Sequence, residues 1–185
     1  MLAYVFWHWP AEGVEQATYE AAMAGFQTSL NRYKPEGFIS SAVLGLARTP
    51  WSDKLRPVYE DWYLVKDFAS LGLLNDGAVD ATNKPPHDGV ATRVEGGAGG
   101  VYRLKAGVPD FATVRRANWF SKPAGLPYAE FYSGVPAGDV VGQWERQMVL
   151  GPAPECCIFT DGRQVSVPKA ENAIAIDAEP VWIVS

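Results

Sequence analysis

Residues 2–33 read LAYVFWHWPAEGVEQATYEAAMAGFQTSLNRY, and the change of period inside this stretch decides the fold. Leu2 to Trp9 is apolar and aromatic on both faces, the pattern of a central strand. Pro10-Ala11-Glu12-Gly13 breaks it. Beyond the break, Tyr19, Met23, Phe26, Leu30 and Tyr33 recur at spacings of 4, 3, 4 and 3, one stripe of an α-helix. Lys34-Pro35-Glu36-Gly37 stops that helix. A strand followed directly by an amphipathic helix is the opening of an α/β or α+β unit.

The chain downstream completes that unit. Phe38 to Ala47 reads as a second strand, in which Ser40, Ser41 and Gly45 leave room for close approach by another group. A loop with Pro50, Trp51 and Pro57 leads into a third strand, Val58 to Lys66. Asp67 is a good N-cap for a short helix carrying Phe68, Leu71 and Leu74, which Asn75-Asp76-Gly77 ends. Asp80 to Gly100 is polar and rich in Pro and Gly. It reads as a loop with a helical turn around Asp88 to Thr92, and the run Gly96-Gly97-Ala98-Gly99-Gly100 as its flexible end. That run lacks the Gly-Lys-Ser/Thr ending of a phosphate-binding loop and leads into a strand, Val101 to Ala106. The order β-α-β-β-α-β is the ferredoxin-like unit, here over residues 1–107.

Residues 108–185 read as a shortened second unit. Arg116 to Ser121 is a strand, and Pro127 opens a short helix with Tyr128, Phe131 and Tyr132. Val140 to Leu150 and Glu155 to Thr160 are strands, Ala170 to Ala175 is the candidate for a second helix, and Val181 to Val184 closes as a strand. The expected fold is therefore α+β: two tandem ferredoxin-like units forming an α+β barrel, the second packed on the first. The inference of a second unit rests on element order, without a residue-level repeat.

Composition narrows the function classes. The 185 residues are 48% hydrophobic and 20% charged, an ordinary globular balance. Net charge is -5, and both halves are acidic (-2 up to Gly107, -3 after it). No run of basic residues exceeds Arg115-Arg116, so nucleic acid and anionic membrane surfaces are not expected partners. No window of 18 apolar residues suggests a spanning helix. Met1 to Trp7 lacks the basic start and cleavage site of a signal peptide, and the adjacent Cys156 and Cys157 point to opposite faces of a strand, so a reducing, cytoplasmic setting is expected.

His8 and His87 are the only imidazoles. Tyr4, Phe6 and His8 share one face of the first strand. His87 lies in a loop held over the sheet, where sites often sit. No HxH or HxxxH spacing suggests a metal, and there is no GxSxG nucleophile elbow. In the third strand, Tyr59, Asp61 and Tyr63 alternate with Glu60, Trp62 and Leu64; the second set suits the helices, which puts Asp61 towards the barrel interior. By the same reading Tyr102 and Leu104 face the helices, with Arg103 and Lys105 opposite. Polar groups on a buried face are costly unless paired, so they suggest a wet pocket or buried ion pairs. Seven tryptophans, mostly core, leave a surplus for an apolar cleft.

The stretch Tyr59-Glu60-Asp61-Trp62-Tyr63-Leu64-Val65-Lys66-Asp67-Phe68, with Leu71, Leu73 and Leu74, resembles the strand-to-helix step of the dimeric α+β-barrel superfamily, in its small-monooxygenase and EthD-like members. Trp119-Phe120-Ser121-Lys122-Pro123-Ala124-Gly125-Leu126 resembles the EthD-like strand-to-helix opening. The resemblance implies a barrel of two ferredoxin-like units, from two chains or one, and a homodimer is one expected assembly. It implies a small organic molecule as partner and no cofactor. Haem-binding relatives use a histidine from the C-terminal unit, and this C-terminal half has none. The expected function is binding of an apolar or aromatic compound, with cofactor-independent catalysis as the enzymatic form. In it His8 or His87 shuttles a proton, Asp61 orients the imidazole, Arg103 stabilises a developing oxyanion, and Tyr4, Tyr63 and Trp119 contact substrate. The rival reading is a non-catalytic protein that uses the barrel face for association.

Overall fold

The computed structural model describes residues 1–46, 49, 51, 57–136, 138, 140–148 and 151–184. Eight strands close into an antiparallel barrel: β1 (Leu2–Pro10), β2 (Phe38–Leu46), β3 (Val58–Val65), β4 (Val94–Ala106), β5 (Arg116–Ser121), β6 (Gly142–Met148), β7 (Cys156–Thr160) and β8 (Glu171–Ile183). The order around the barrel is β1-β3-β2-β8-β5-β7-β6-β4. Cut at its two seams, β2–β8 and β4–β6, this gives β4-β1-β3-β2 and β8-β5-β7-β6. The second order is the first with every number raised by four. The strand ends expected at Ala47, Val149 and Leu150, and the loop residues Arg48 and Pro50, lie outside the described residues.

The helices divide unequally between the halves. α1 (Gln16–Tyr33), α2 (Phe68–Ala78) and α3 (Lys84–Ala91) cover the outer face of the first half, whereas α4 (Tyr128–Ser133) covers the second. Four of the five stripe residues of α1, Tyr19, Met23, Phe26 and Leu30, are buried on the sheet, whereas Tyr33, in the last turn, is exposed. Lys34, in the left-handed region at φ 53°, ends the helix with its N–H on the carbonyl of Leu30. Asp67 caps α2 by accepting the Ser70 N–H at 2.9 Å. No helix among the described residues is long and apolar enough to cross a membrane.

The barrel interior is one core shared by both halves. Trp7, Trp62 and Tyr102 from the first meet Trp119, Trp144 and Phe159 from the second, at ring separations such as 5.5 Å (Trp7 to Trp119) and 5.0 Å (Trp62 to Trp144). Glu60 is the carboxylate in this core. The Trp7 indole N–H donates to its Oε1 at 2.6 Å, and Oε2 has no hydrogen-bond partner among the described residues. Burial pushes the Glu60 carboxyl up to about 7, against an ordinary 4.5.

Four expectations change here. The faces of β3 and β4 are reversed: Trp62, Leu64, Tyr102 and Glu60 fill the barrel, and Asp61 and Tyr63 face the helices. All eight residues of β3 are buried, so its alternation carries no sign of which face is which. The Gly-rich run is strand, not loop. A Cβ on Gly97 would lie 2.6 Å from the Phe6 ring and from the Trp7 carbonyl oxygen, and one on Gly99 would lie 2.9 Å from the Tyr4 hydroxyl. Glycine there lets the aromatic side chains of β1 lie across β4. The turn expected near Asp88 is the full helix α3. Ala170 to Ala175 is not helical; it opens β8, which pairs with β5 and β2, so sheet pairing overrides alanine's helix propensity.

Candidate functional site

Between the outer face of the first half and α1, α2 and α3 lies a cavity of about 620 Å³. Its floor is Tyr4, Phe6 and His8 of β1 with Asp61 and Tyr63 of β3. Phe26 and Leu30 of α1, Leu71 and Leu74 of α2, and Val101 of β4 form apolar walls. His87, Val90 and Ala91 of α3 stand at one side. Volume and lining match an ordinary small-molecule site: mostly apolar, with a few convergent polar groups.

The polar groups form one hydrogen-bonded set around Asp61, which is 5% exposed. His8 Nε2 lies 3.1 Å from Asp61 Oδ1. The Tyr63 hydroxyl donates to Oδ2 at 2.6 Å, and Gln27 Nε2 donates to the same oxygen at 3.1 Å. Gln27 Nε2 also donates to the Tyr63 oxygen at 3.0 Å. The amide of Gln27 is oriented from behind: Ser41 Oγ donates to its Oε1 at 2.5 Å, and Asn31 Nδ2 donates to Ser41 Oγ at 2.7 Å. On the other side of the imidazole, His8 Nδ1 lies 2.5 Å from the Tyr19 hydroxyl.

Burial and the Asp61 charge both push the Tyr63, Tyr19 and Tyr4 hydroxyls up, far out of the range in which they ionise at neutral pH. They stay protonated. The Asp61 carboxylate accepts from His8 Nε2–H, and the Tyr19 hydroxyl, which can donate or accept, bonds Nδ1. Both imidazole nitrogens of His8 are thus held by the protein. His87 differs. It is half-exposed, its ring edge meets Phe26 at 5.4 Å, Nδ1 lies 3.3 Å from Asp88 Oδ1, and Nε2 has no partner among the described residues.

This architecture has been seen before. A protein of Fusobacterium nucleatum subsp. nucleatum, provisionally named a monooxygenase, superposes with a TM-score of 0.63 over 98% of this chain and 93% of its own, at 7% identity. One of Lactobacillus acidophilus, with the same provisional name, gives 0.60 over 100% of this chain and 95% of its own, also at 7% identity. At that identity the likeness is one of fold. No family model and no curated protein matches the chain.

Of the residues expected to form a site, His8, Asp61, His87, Tyr4 and Tyr63 all line this cavity. Two do not. Trp119 is fully buried inside the barrel against Trp7 and Trp51, on the opposite side of the sheet. Arg103 faces outward like Asp61 but lies far along the strand. It is paired with Leu2, whereas Asp61 is paired with Phe6, four residues further on. With two strand spacings across, the separation is on the order of 15 Å. Exposed Arg103 instead donates from Nε to Gln147 Oε1 at 3.0 Å, so among the described residues the pocket has no arginine for an oxyanion. Gln27, Tyr19 and Ser41 complete the site without having been singled out for it in the sequence. Gln27 had a legible signal: it is a polar residue beside Phe26 within the buried stripe between Met23 and Leu30.

Among the described residues no three His, Cys, Asp or Glu side chains come together as metal ligands. Cys156 and Cys157 are free, buried, and on opposite faces of β7, one in the cluster under α4 and one in the barrel core.

Proposed function

We propose that the cavity over the first half binds a small, largely apolar organic molecule and that Asp61 exchanges a proton with it. The observation that carries this reading is the Asp61 carboxylate at the floor of an apolar cavity, with three protein donors on its two oxygens. A carboxylate offers about four acceptor positions. Oδ2 receives two donors and Oδ1 one, so one position on Oδ1 remains for a bound molecule. Asp61 is the general base of this scheme. His8 is a positioning residue, because Tyr19 and Asp61 occupy its two nitrogens. His87, with Nε2 unengaged beside the cavity, is the second group that can exchange a proton with the ligand. The monooxygenase names of the two fold neighbours agree with an enzyme acting on an organic substrate, and cofactor-independent catalysis is the form of that activity we favour.

Native mass spectrometry of protein purified from its own cells tests the binding claim. A retained organic molecule present in the wild type and absent from Asp61→Asn supports it. Protein from several preparations that carries no adduct, and binds none of a panel of apolar organic compounds, contradicts it.

A further inference from the structure

Three features outside the proton-exchange scheme invite a function: the buried Glu60 in the barrel, the tyrosine–glutamate contacts of α4, and the charge of the cavity itself. Glu60 is sealed in the core, and the tyrosines of α4 already spend their hydroxyls on Glu145 and Glu155 at the surface. The third reaches furthest.

Among the described residues that line the cavity there is no lysine or arginine. Basic groups nearby are engaged elsewhere. Lys84 on α3 pairs with Asp88 at 2.6 Å, and Arg93, just past α3, donates to the carbonyl of Gly89. Arg103 and Lys105 of β4 are held by Gln147 and Glu145. The floor carries the Asp61 carboxylate, held by His8, Gln27 and Tyr63. The rest of the floor is the rings of Tyr4, Phe6 and Tyr63, with Tyr4 nearly parallel to both, 6.3 Å from Phe6 and 6.1 Å from Tyr63. A bound anion would meet the Asp61 carboxylate in a partly desolvated space, with no lysine or arginine among the described lining residues to offset it.

From this we infer that the cavity selects uncharged ring compounds bearing a hydroxyl donor and rejects their carboxylate counterparts. The hydroxyl fills the open acceptor position of Asp61 Oδ1, and the ring lies over Tyr4 and Phe6. This inference rests on the reading above and narrows it: a general base at the floor is compatible with many ligands, whereas one open acceptor, with no lysine or arginine among the described lining residues, excludes a class of them. The hydroxyl in that position is also the group whose proton Asp61 can take, so the selecting contact and the reacting contact are one.

Isothermal titration of the full chain at neutral pH with three naphthalene probes tests it: the naphthol, its methyl ether, and the naphthoate. They share a ring and differ in donor and charge. The naphthol is expected to bind most tightly. The ether, which cannot donate, should bind about tenfold more weakly, the value of one hydrogen bond. The naphthoate should bind more weakly than the ether. Asp61→Asn should narrow the gap between naphthol and naphthoate, although the wild-type ranking tests the inference without any variant. Naphthoate binding as tightly as naphthol, or ether equal to naphthol, overturns the inference while leaving a small-molecule cavity in place. Failure of all three probes to bind overturns both the inference and the reading it rests on.

Discussion

Replacing Glu60 with glutamine should make the protein more stable, and by an amount that depends on pH. Glu60 is fully buried in the barrel, one oxygen on the Trp7 indole and the other without a partner among the described residues. Its carboxyl titrates near 7 in the folded chain, against an ordinary 4.5. The folded state therefore keeps this proton over a range in which the unfolded chain has lost it. Stability from this group is complete at acid pH and is lost as pH rises towards 7. A tenfold difference in proton affinity between the folded and unfolded chain is worth about 1.4 kcal/mol, so the wild type should lose about 2.5 kcal/mol from this group between pH 5 and pH 8. Glutamine keeps the shape and a hydrogen-bond acceptor for the Trp7 indole but cannot ionise. Urea unfolding followed by the barrel tryptophans, at both pH values and for both proteins, isolates the effect, because other titrating groups cancel in the difference. The Glu60→Gln advantage should grow by about 2.5 kcal/mol from pH 5 to pH 8. An advantage that is the same at both values would mean that Glu60 is not buried as an acid, and the account of the barrel core would fail.

Two further outcomes follow from single contacts. Gly97→Ala places a methyl 2.6 Å from the Trp7 carbonyl oxygen and the Phe6 ring, so it should cost about 1–3 kcal/mol of unfolding free energy and displace Phe6 in the cavity floor; an unchanged urea midpoint would contradict the close packing of β1 on β4. Burial pushes Cys156 up to about 12 and raises Cys157 well above the ordinary thiol range, so neither thiol should react with an alkylating reagent in the native protein at pH 8, and both should react after denaturation without reductant. A thiol count that rises on adding reductant would show a disulfide.

Much of the first half is legible because its elements announce themselves by period and punctuation. The α1 stripe and the Asp67 cap each rest on local physics, and the structure agrees with both. The element order of the first half brings five candidate residues to one cavity, because Tyr4, Phe6 and His8 share a face by strand geometry and β3 lies beside β1. The remainder depends on information that local sequence does not hold. A strand buried on both faces gives no sign of which face the helices cover, so alternation alone puts Asp61 on the wrong side. A run of glycines reads as flexible unless the aromatic neighbours they accommodate are known. Face alone matches Arg103 to Asp61, and the register that separates them depends on β1 lying between. Trp119 is indistinguishable by type from a pocket residue, and only barrel closure puts it inside.

The two halves share a strand order, but among the described residues the helix-covered face of the second half holds no counterpart of this cavity. Under α4, the face equivalent to the floor of the first half is filled by Phe120, Phe131, Val135, Cys156 and Ile158. A six-residue helix stands in the place of the eighteen residues of α1, and short loops complete the cover. The central claim is therefore one ligand cavity per chain, at the floor built by β1 and β3. Titration of the wild type and of Leu71→Trp, which fills the cavity from α2, with naphthol tests it most directly. The account predicts one naphthol per wild-type chain and none in Leu71→Trp, with both proteins equally folded by circular dichroism. Two sites per chain, or undiminished binding by a folded Leu71→Trp, would contradict it.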